Sequence, residues 1–281
     1  MSKRRYITRA RLADIDAALT ARDRVIVADV ANLNLMSGHQ LYRLHYDPTE
    51  TGRRLARVDL ARLTTHDVLT RLDRVIGGER AGSMGFVYSL GVAGQRLLWP
   101  DRRRYRRPWT PLPNHLNHAL AVSELYVRLR QREGRDGWRL VTFDAEPDCW
   151  RPFYGPGGSR VTLKPDAFVV VESEAFVDRL FVEIDRATEA MPRVVDKAKA
   201  YVRYWQSGRE QAETGVFPWV LWVTPDDKRL KQLVGGLSRL PAEHWRLFAA
   251  TTMANADDRI MTGALGPLKE GINNTKKEVS S

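Results

Sequence analysis

A single cysteine, Cys149, in 281 residues excludes an intramolecular disulfide and a cysteine-based zinc cluster, and predicts a protein of a reducing compartment, the cytoplasm. No apolar run approaches the roughly 18 residues that a membrane span requires, and the opening MSKRRYITRARL has no apolar stretch of the signal-peptide kind. No membrane is therefore expected among the partners. The chain also has no GxxxxGK[ST] phosphate loop, no GxSxG elbow and no zinc-like spacing of Cys and His. Acid is scarce locally: residues 1–113 carry 11 Asp and Glu against 21 Lys and Arg, whereas the remainder carries 23 against 24. The formal net charge of +11 lies almost wholly in the N-terminal part. Charge segregated this way suits a domain laid on a polyanion, which the helical pattern of the same residues narrows to double-stranded DNA.

What is present suffices for cores in two domains, with 43% hydrophobic and 9% aromatic residues. Asp23 is expected to cap a helix through VIVADVANL, with a turn at Asn34–Met36. Ser37 and Gln40 have capping-box spacing and open a short helix with Leu41 and Leu44 on its buried side; Gln40 and His39 read as capping residues rather than base readers. After the break at Asp47-Pro48, the run TETGRRLARVDLARL places Leu55, Val58, Leu60 and Leu63 at helical spacing, with Arg53, Arg54 and Arg57 on the other side. HDVLTRLDRVI and GFVYSLG then read as two strands joined by GGERAGSM, with Arg80 near the tip. Three helices and a hairpin over residues 1–100 are the order of a winged helix-turn-helix, whose third helix enters the major groove while the wing follows the backbone. Arg53, Arg54 and Arg57 are thus candidates for groove or phosphate contacts, and Arg80 for the wing; the alternative is a solvated helix face. Residues 101–113 form a basic, proline-flanked linker. There Arg103, Arg104 and Arg106, interleaved with Tyr105 and close to Trp109, either track phosphates and stack on bases or serve as a tether.

Residues 114–255 follow a different pattern. A helix at NHLNHALAVSELYVRLRQ precedes strands at WRLVTF, RVTLKPDAFVVVE and RLFVEID, then a helix at VVDKAKAYVRYWQSG, a strand at PWVLWVT, a helix over 227–240 and a strand at WRLFAAT. This α-β-β-β-α-β-α-β order predicts an α/β domain with a central mixed sheet, followed by a polar tail over 256–281. On the third strand Glu183 and Asp185 lie two residues apart and share a face, so the pair calls for a cation: an arginine, a metal ion or solvent counterions. If the second and third strands pair as a hairpin, Asp166 joins them, and three carboxylates make an oxygen cage suited to Mg²⁺ or Mn²⁺. Alternatively, Glu183 and Asp185 are ion-paired with Lys197 or Arg203. Tyr201 and Tyr204, at their helical spacing, read as a core face.

The pattern PD…ExD resembles the PD-(D/E)xK nucleases, whose core has the same α-β-β-β-α-β order. The resemblance implies that Asp166 and Glu183 are metal ligands, with a lysine two residues after the second acid to position or activate water. This chain has Asp185 in that slot, so the positive charge would have to come from Lys164, two residues before Asp166, or from Lys197 or Lys199 on the following helix; Glu124 on the first helix is a further acid. Over roughly residues 20–225 the layout is also similar to the replication-relaxation family of bacterial plasmids and integrative elements. That likeness rests on HQLYRLHYD, the wing ending FVYSLG, the NHLNHAL helix with His115 and His118, and EIDRATE with the Lys and Tyr after it. It implies DNA handling in replication, relaxation or mobilisation of a mobile element; further candidate partners are replication or relaxosome proteins and, as a homodimer, a second copy of the chain. His115 and His118 are expected to cap or pack. Two functions follow: a Mg²⁺-dependent DNA endonuclease or nickase, or a non-catalytic DNA-binding accessory or regulatory protein with a degenerate nuclease fold.

Overall fold

The computed structural model describes residues 7–72, 86–102, 105, 111–135 and 137–268, and the chain divides into two compact units, Met1–Val127 and Arg128–Ser281. In the first unit, Thr8 caps α1 (Arg9–Ala18). Helix α2 (Ala21–Leu33) is capped by Thr20 rather than Asp23, because Asp23 sits at the third helical position and returns a bond to the Thr20 N–H at 2.8 Å. The expected cap is thus one half of a reciprocal capping box. The turn after it, with Asn34 at φ 63°, leads into β1 (Met36–Ser37), and α3 (Gly38–His45) starts on the Ser37–Gln40 capping box that its spacing predicts.

Helix α4 (Glu50–Thr65) buries Gly52, Ala56, Leu60 and Leu63 and leaves Leu55 and Val58 exposed, contrary to the face read from the sequence. Leu55 and Leu60 are five residues apart, about 140° around a helix, so they cannot share one narrow stripe. Gly52 decides which stripe is buried: a Cβ there would meet the Asp47 carbonyl oxygen at 2.2 Å, so this edge of α4 lies flush against the preceding loop. Strands β2 (Leu69–Arg71) and β3 (Val87–Leu90) pair antiparallel, and β1 pairs with β3, giving the order β1-β3-β2. Two further helices follow, α5 (Val92–Leu98) and α6 (Pro113–Arg132). Neither α1 nor α5 is among the elements read from sequence.

The second unit is built on a mixed five-stranded sheet. Its strands, with the hairpin beside it, are β4 (Arg139–Ala145), β5 (Arg151–Tyr154), β6 (Arg160–Leu163), β7 (Ala167–Glu172) and β8 (Val177–Ile184), and these are followed by α7 (Met191–Gln206), α8 (Arg209–Thr214), β9 (Trp219–Thr224), α9 (Asp227–Leu237), β10 (Phe248–Thr252) and α10 (Ala256–Met261). The main sheet runs β10-β9-β8-β7-β4, with β4, β7 and β8 antiparallel and β8, β9 and β10 parallel. The stretch RVTLKPDAFVVVE is not one strand. Its first part is β6, paired with β5 in a separate hairpin, and its second is β7 in the main sheet. Pro165 lies in the link, where its missing N–H takes no ladder bond away. Side chains of α7 and α9 join Phe168, Phe181, Val220, Trp222 and Phe248 of the sheet in one core. Helix α10 occupies the start of the stretch read as a polar tail and buries Ala256, Ile260 and Met261. Among the described residues no helix is long and apolar enough to cross a membrane.

Candidate functional site

In the first unit the candidate surface is the outer face of α4. Arg53, Arg54 and Arg57 are exposed there. Glu50, in the first turn, pairs with Arg57 at 3.1 Å and Arg53 at 3.8 Å, and its own side chain is 77% exposed. Pairs in that much water contribute little, about 0–1 kcal/mol, so they hold the arginines only loosely. Glu50, Thr51, Arg54, Arg57 and Val58 together line a shallow depression. Arg62, on the same helix, behaves differently: it bonds the fully buried Asp23 at 2.8 and 2.9 Å and Asp59 at 3.2 Å. Burial works to raise the Asp23 pKa, but hydrogen bonds from Thr20 and Arg62 outweigh it and hold the carboxyl below its ordinary value. Arg62 is therefore part of the fold and the outer arginines are not.

Gln40 caps α3 and also donates to the Leu120 carbonyl at 2.9 Å and to Glu124 at 3.3 Å. Glu124 is further bound by Arg43 at 2.7 Å, so its carboxylate is committed inside the N-terminal unit. His115 is exposed and His118 half-buried on α6. Arg80, Arg103, Arg104, Arg106 and Trp109 lie outside the described residues.

In the second unit, Asp166 enters β7 with its side chain clamped to the neighbouring strand: its Oδ2 accepts the Ile184 N–H at 2.7 Å, while its own N–H donates to the Val182 carbonyl at 3.0 Å. Glu183, 1% exposed, points to the α7 side of the sheet. There the Lys197 ammonium pairs with its Oε2 and stands 3.9 Å from Asp166 Oδ1. One helical turn further along α7, the Tyr201 hydroxyl donates to Glu183 Oε1. Burial pushes the Glu183 carboxyl up to about 8 even with Lys197 beside it. Burial also works against the Lys197 ammonium, but the Glu183 and Asp166 carboxylates outweigh it and hold its pKa above the ordinary value.

Asp185 does not join this group. Its Oδ2 accepts two bonds from the buried Arg229, from Nε at 2.9 Å and Nη2 at 2.8 Å, and its Oδ1 accepts the Ala187 N–H at 2.5 Å. Arg229 also donates to the Glu189 carbonyl at 2.8 Å. Asp185 and Arg229 thereby fasten the loop after β8, including Ala187 at φ 59°, to the first turn of α9. Lys199 is exposed and paired with Asp196 at 3.0 Å. Lys164 is exposed, with its ammonium 4.4 Å from the centre of the Trp150 ring. Arg203 points to solvent.

The structure thus brings together Asp166, Glu183 and Lys197, adds Tyr201, and directs Asp185, Lys164 and Lys199 elsewhere. A Mg²⁺ ion is held by one or two carboxylates through oxygens left open to the ion and its waters. Glu183 has one oxygen on Tyr201 and the other on Lys197, and Asp166 has one on a backbone N–H and the other facing Lys197. Among the described residues no three His, Cys, Asp or Glu side chains are grouped to hold a metal. As folded, the donor set does not fit a magnesium ion, because the Lys197 ammonium already supplies the positive charge.

Sequence reasoning missed Arg229, which no local signal ties to Asp185. Its reading of Tyr201 as a core residue holds, but it missed the bond to Glu183, although a spacing of four from Lys197 places both side chains on one helix face. A family model described as replication-relaxation matches residues 27–220, more than half of the chain. No curated protein and no solved structure matches.

Proposed function

Because the chain belongs to the replication-relaxation family, we propose that it is a duplex-DNA-binding protein of mobile-element replication or relaxation, with the N-terminal unit as the binding module. The observation that carries this reading is the row of exposed arginines on α4, of which Arg53 and Arg57 pair, among the described residues, with the exposed Glu50, Arg53 lying also 5.6 Å from the centre of the Tyr42 ring. Helix α4 is the third helix in the order α2, β1, α3, α4, β2, β3, which is that of a winged helix, where this helix lies in the major groove. Full-length protein is expected to bind duplex DNA with an affinity that falls steeply with salt, as displaced counterions require. Replacing Arg53, Arg54 and Arg57 together by Ala should flatten the salt dependence by up to about one unit of slope per lost phosphate contact. An unchanged slope would remove α4 from the interface.

For the second unit the reading is a charge-compensated accessory domain, on which replication or relaxosome proteins assemble, rather than a metal-dependent nuclease. The engagement of Glu183 by Lys197 and Tyr201 supports it, as does that of Asp166 by the Ile184 N–H, with the Lys197 ammonium 3.9 Å from its other oxygen. Supercoiled plasmid incubated with the protein and Mg²⁺ or Mn²⁺ should remain supercoiled. Nicking that needs the metal and disappears in Asp166→Asn would overturn this half of the proposal.

A further inference from the structure

Leu55 and Val58 are 40% and 57% exposed on α4, where Val58 follows Arg54 and Arg57 around the helix and Leu55 lies beyond it. The fold does not need them there. The buried stripe of Gly52, Ala56, Leu60 and Leu63 is complete without either, and polar residues at both positions would keep the helix soluble. Val58 also lines the shallow depression with Glu50, Thr51, Arg54 and Arg57, so an apolar side chain shares it with polar and charged ones.

A partner that complements this face is anionic at its edges and locally apolar between them. The major groove of duplex DNA has that chemistry: phosphates flank it, and the thymine C5-methyl is the apolar group that its floor presents. An anionic bilayer also combines negative charge with an apolar interior. A helix that lies in a bilayer surface, however, buries a continuous apolar face, which two half-exposed side chains do not make.

Resting on the DNA-binding reading above, we propose that Leu55 and Val58 read thymine methyl groups in the major groove, while Arg53, Arg54 and Arg57 hold the phosphates and groove edges around them. The arginines then supply affinity for any duplex, and the apolar pair supplies preference for sequences that put thymine under α4.

The test uses the full chain and a duplex selected by it from a pool with a randomised central block. Each thymine of the selected duplex is replaced in turn by deoxyuridine, which removes only the C5-methyl. At one or two positions the wild type should bind about fourfold more weakly, as the loss of one buried methyl group implies. The Leu55→Ala, Val58→Ala double variant should show no such penalty and keep the steep salt dependence. Both residues are outside the core, so the variant is expected to melt as the wild type does. The proposal is overturned if no uracil replacement weakens wild-type binding, or if the penalty persists in the double variant. It is equally overturned if the double variant changes only oligomeric state in light scattering or retention on anionic phosphatidylglycerol vesicles. Sequence-blind retention of the pool would sink this inference and leave the DNA-binding reading standing, whereas no retention of any duplex would sink both.

Discussion

The two units hold their charges in opposite ways. On α4 of the first, Arg53, Arg54 and Arg57 project into solvent with one exposed acid, Glu50, as loose company. In the second, Glu183 and Asp185 of the EIDRATE stretch are buried and matched: Glu183 with Lys197 and Tyr201, Asp185 with Arg229. An exposed pair is worth little and its cation can be redirected to a partner, whereas a buried pair is strongly destabilising to break because it leaves a charge without water or counterion. Burial, more than residue type, separates a surface ready to bind from a network that holds a fold together. The sequence pattern pointed to both sets, reading the arginines as groove or phosphate contacts and the acids as a metal site, without showing which charges were buried.

The sharpest way to break this contrast is to remove one partner from each unit. Arg229→Ala should destabilise the protein by about 3–5 kcal/mol in urea unfolding, because Asp185 is left buried and unpaired. Arg57→Ala should change stability by less than about 0.5 kcal/mol. Equal effects would mean that the two charge sets do not differ in kind. Replacing Asp185 and Arg229 together by apolar residues of similar volume should recover much of the loss, since the desolvation penalty leaves with the pair.

The next effect concerns binding. Substituting Arg53, Arg54 and Arg57 together by Ala should weaken duplex affinity at least tenfold, about 1.4 kcal/mol, with the urea midpoint unchanged. Lys199→Ala and Lys164→Ala, exposed lysines of the second unit, should leave affinity within about twofold, or roughly 0.4 kcal/mol. Fluorescence anisotropy on one duplex at two salt concentrations measures all three.

The smallest effect lies inside the first unit, where Asp23 is an exception to its exposed charges. Its pKa is held below the unfolded value, so its contribution is present above the unfolded pKa and is lost as pH falls through the folded one. Stability measured from neutral pH down into the acid range should therefore fall less steeply in Asp23→Asn than in the wild type. The variant should also be less stable at neutral pH by about 1 kcal/mol, the usual worth of such a hydrogen-bonded group.

Features set by neighbours in sequence were legible. The Ser37–Gln40 box needs only its two residues, and the order of strands around FVEID follows from apolar runs and turn residues. Asp23 was read one role away from its own, because Thr20 competes for the cap and wins by leaving Asp23 free to close the box from inside the helix. Leu55 and Val58 misled because apolar spacing alone does not say which of two overlapping stripes is buried. The contact of Gly52 with Asp47 says so, and it depends on how the loop before α4 folds back on the helix, which apolar spacing does not encode. The break at Pro165 was visible as a proline in a strand, and reading it would have separated β6 from β7 and taken Lys164 off the face of Asp166. Lys197 was legible as a helix residue facing the third strand. Arg229 was not, since the bond to Asp185 spans 44 residues and depends on how α9 packs.

The central claim is that Arg53, Arg54 and Arg57 of the first unit are placed for DNA while Glu183 and Asp185 of the second are already paired. The melting temperature of the full chain, recorded with duplex DNA in one arm and millimolar Mn²⁺ in the other, tests it directly, because a ligand that binds the native state raises the transition by linkage. Duplex DNA is expected to raise the melting temperature and Mn²⁺ to leave it where it is. A rise with Mn²⁺ that Asp166→Asn abolishes, together with no rise with DNA, would contradict the claim in both units.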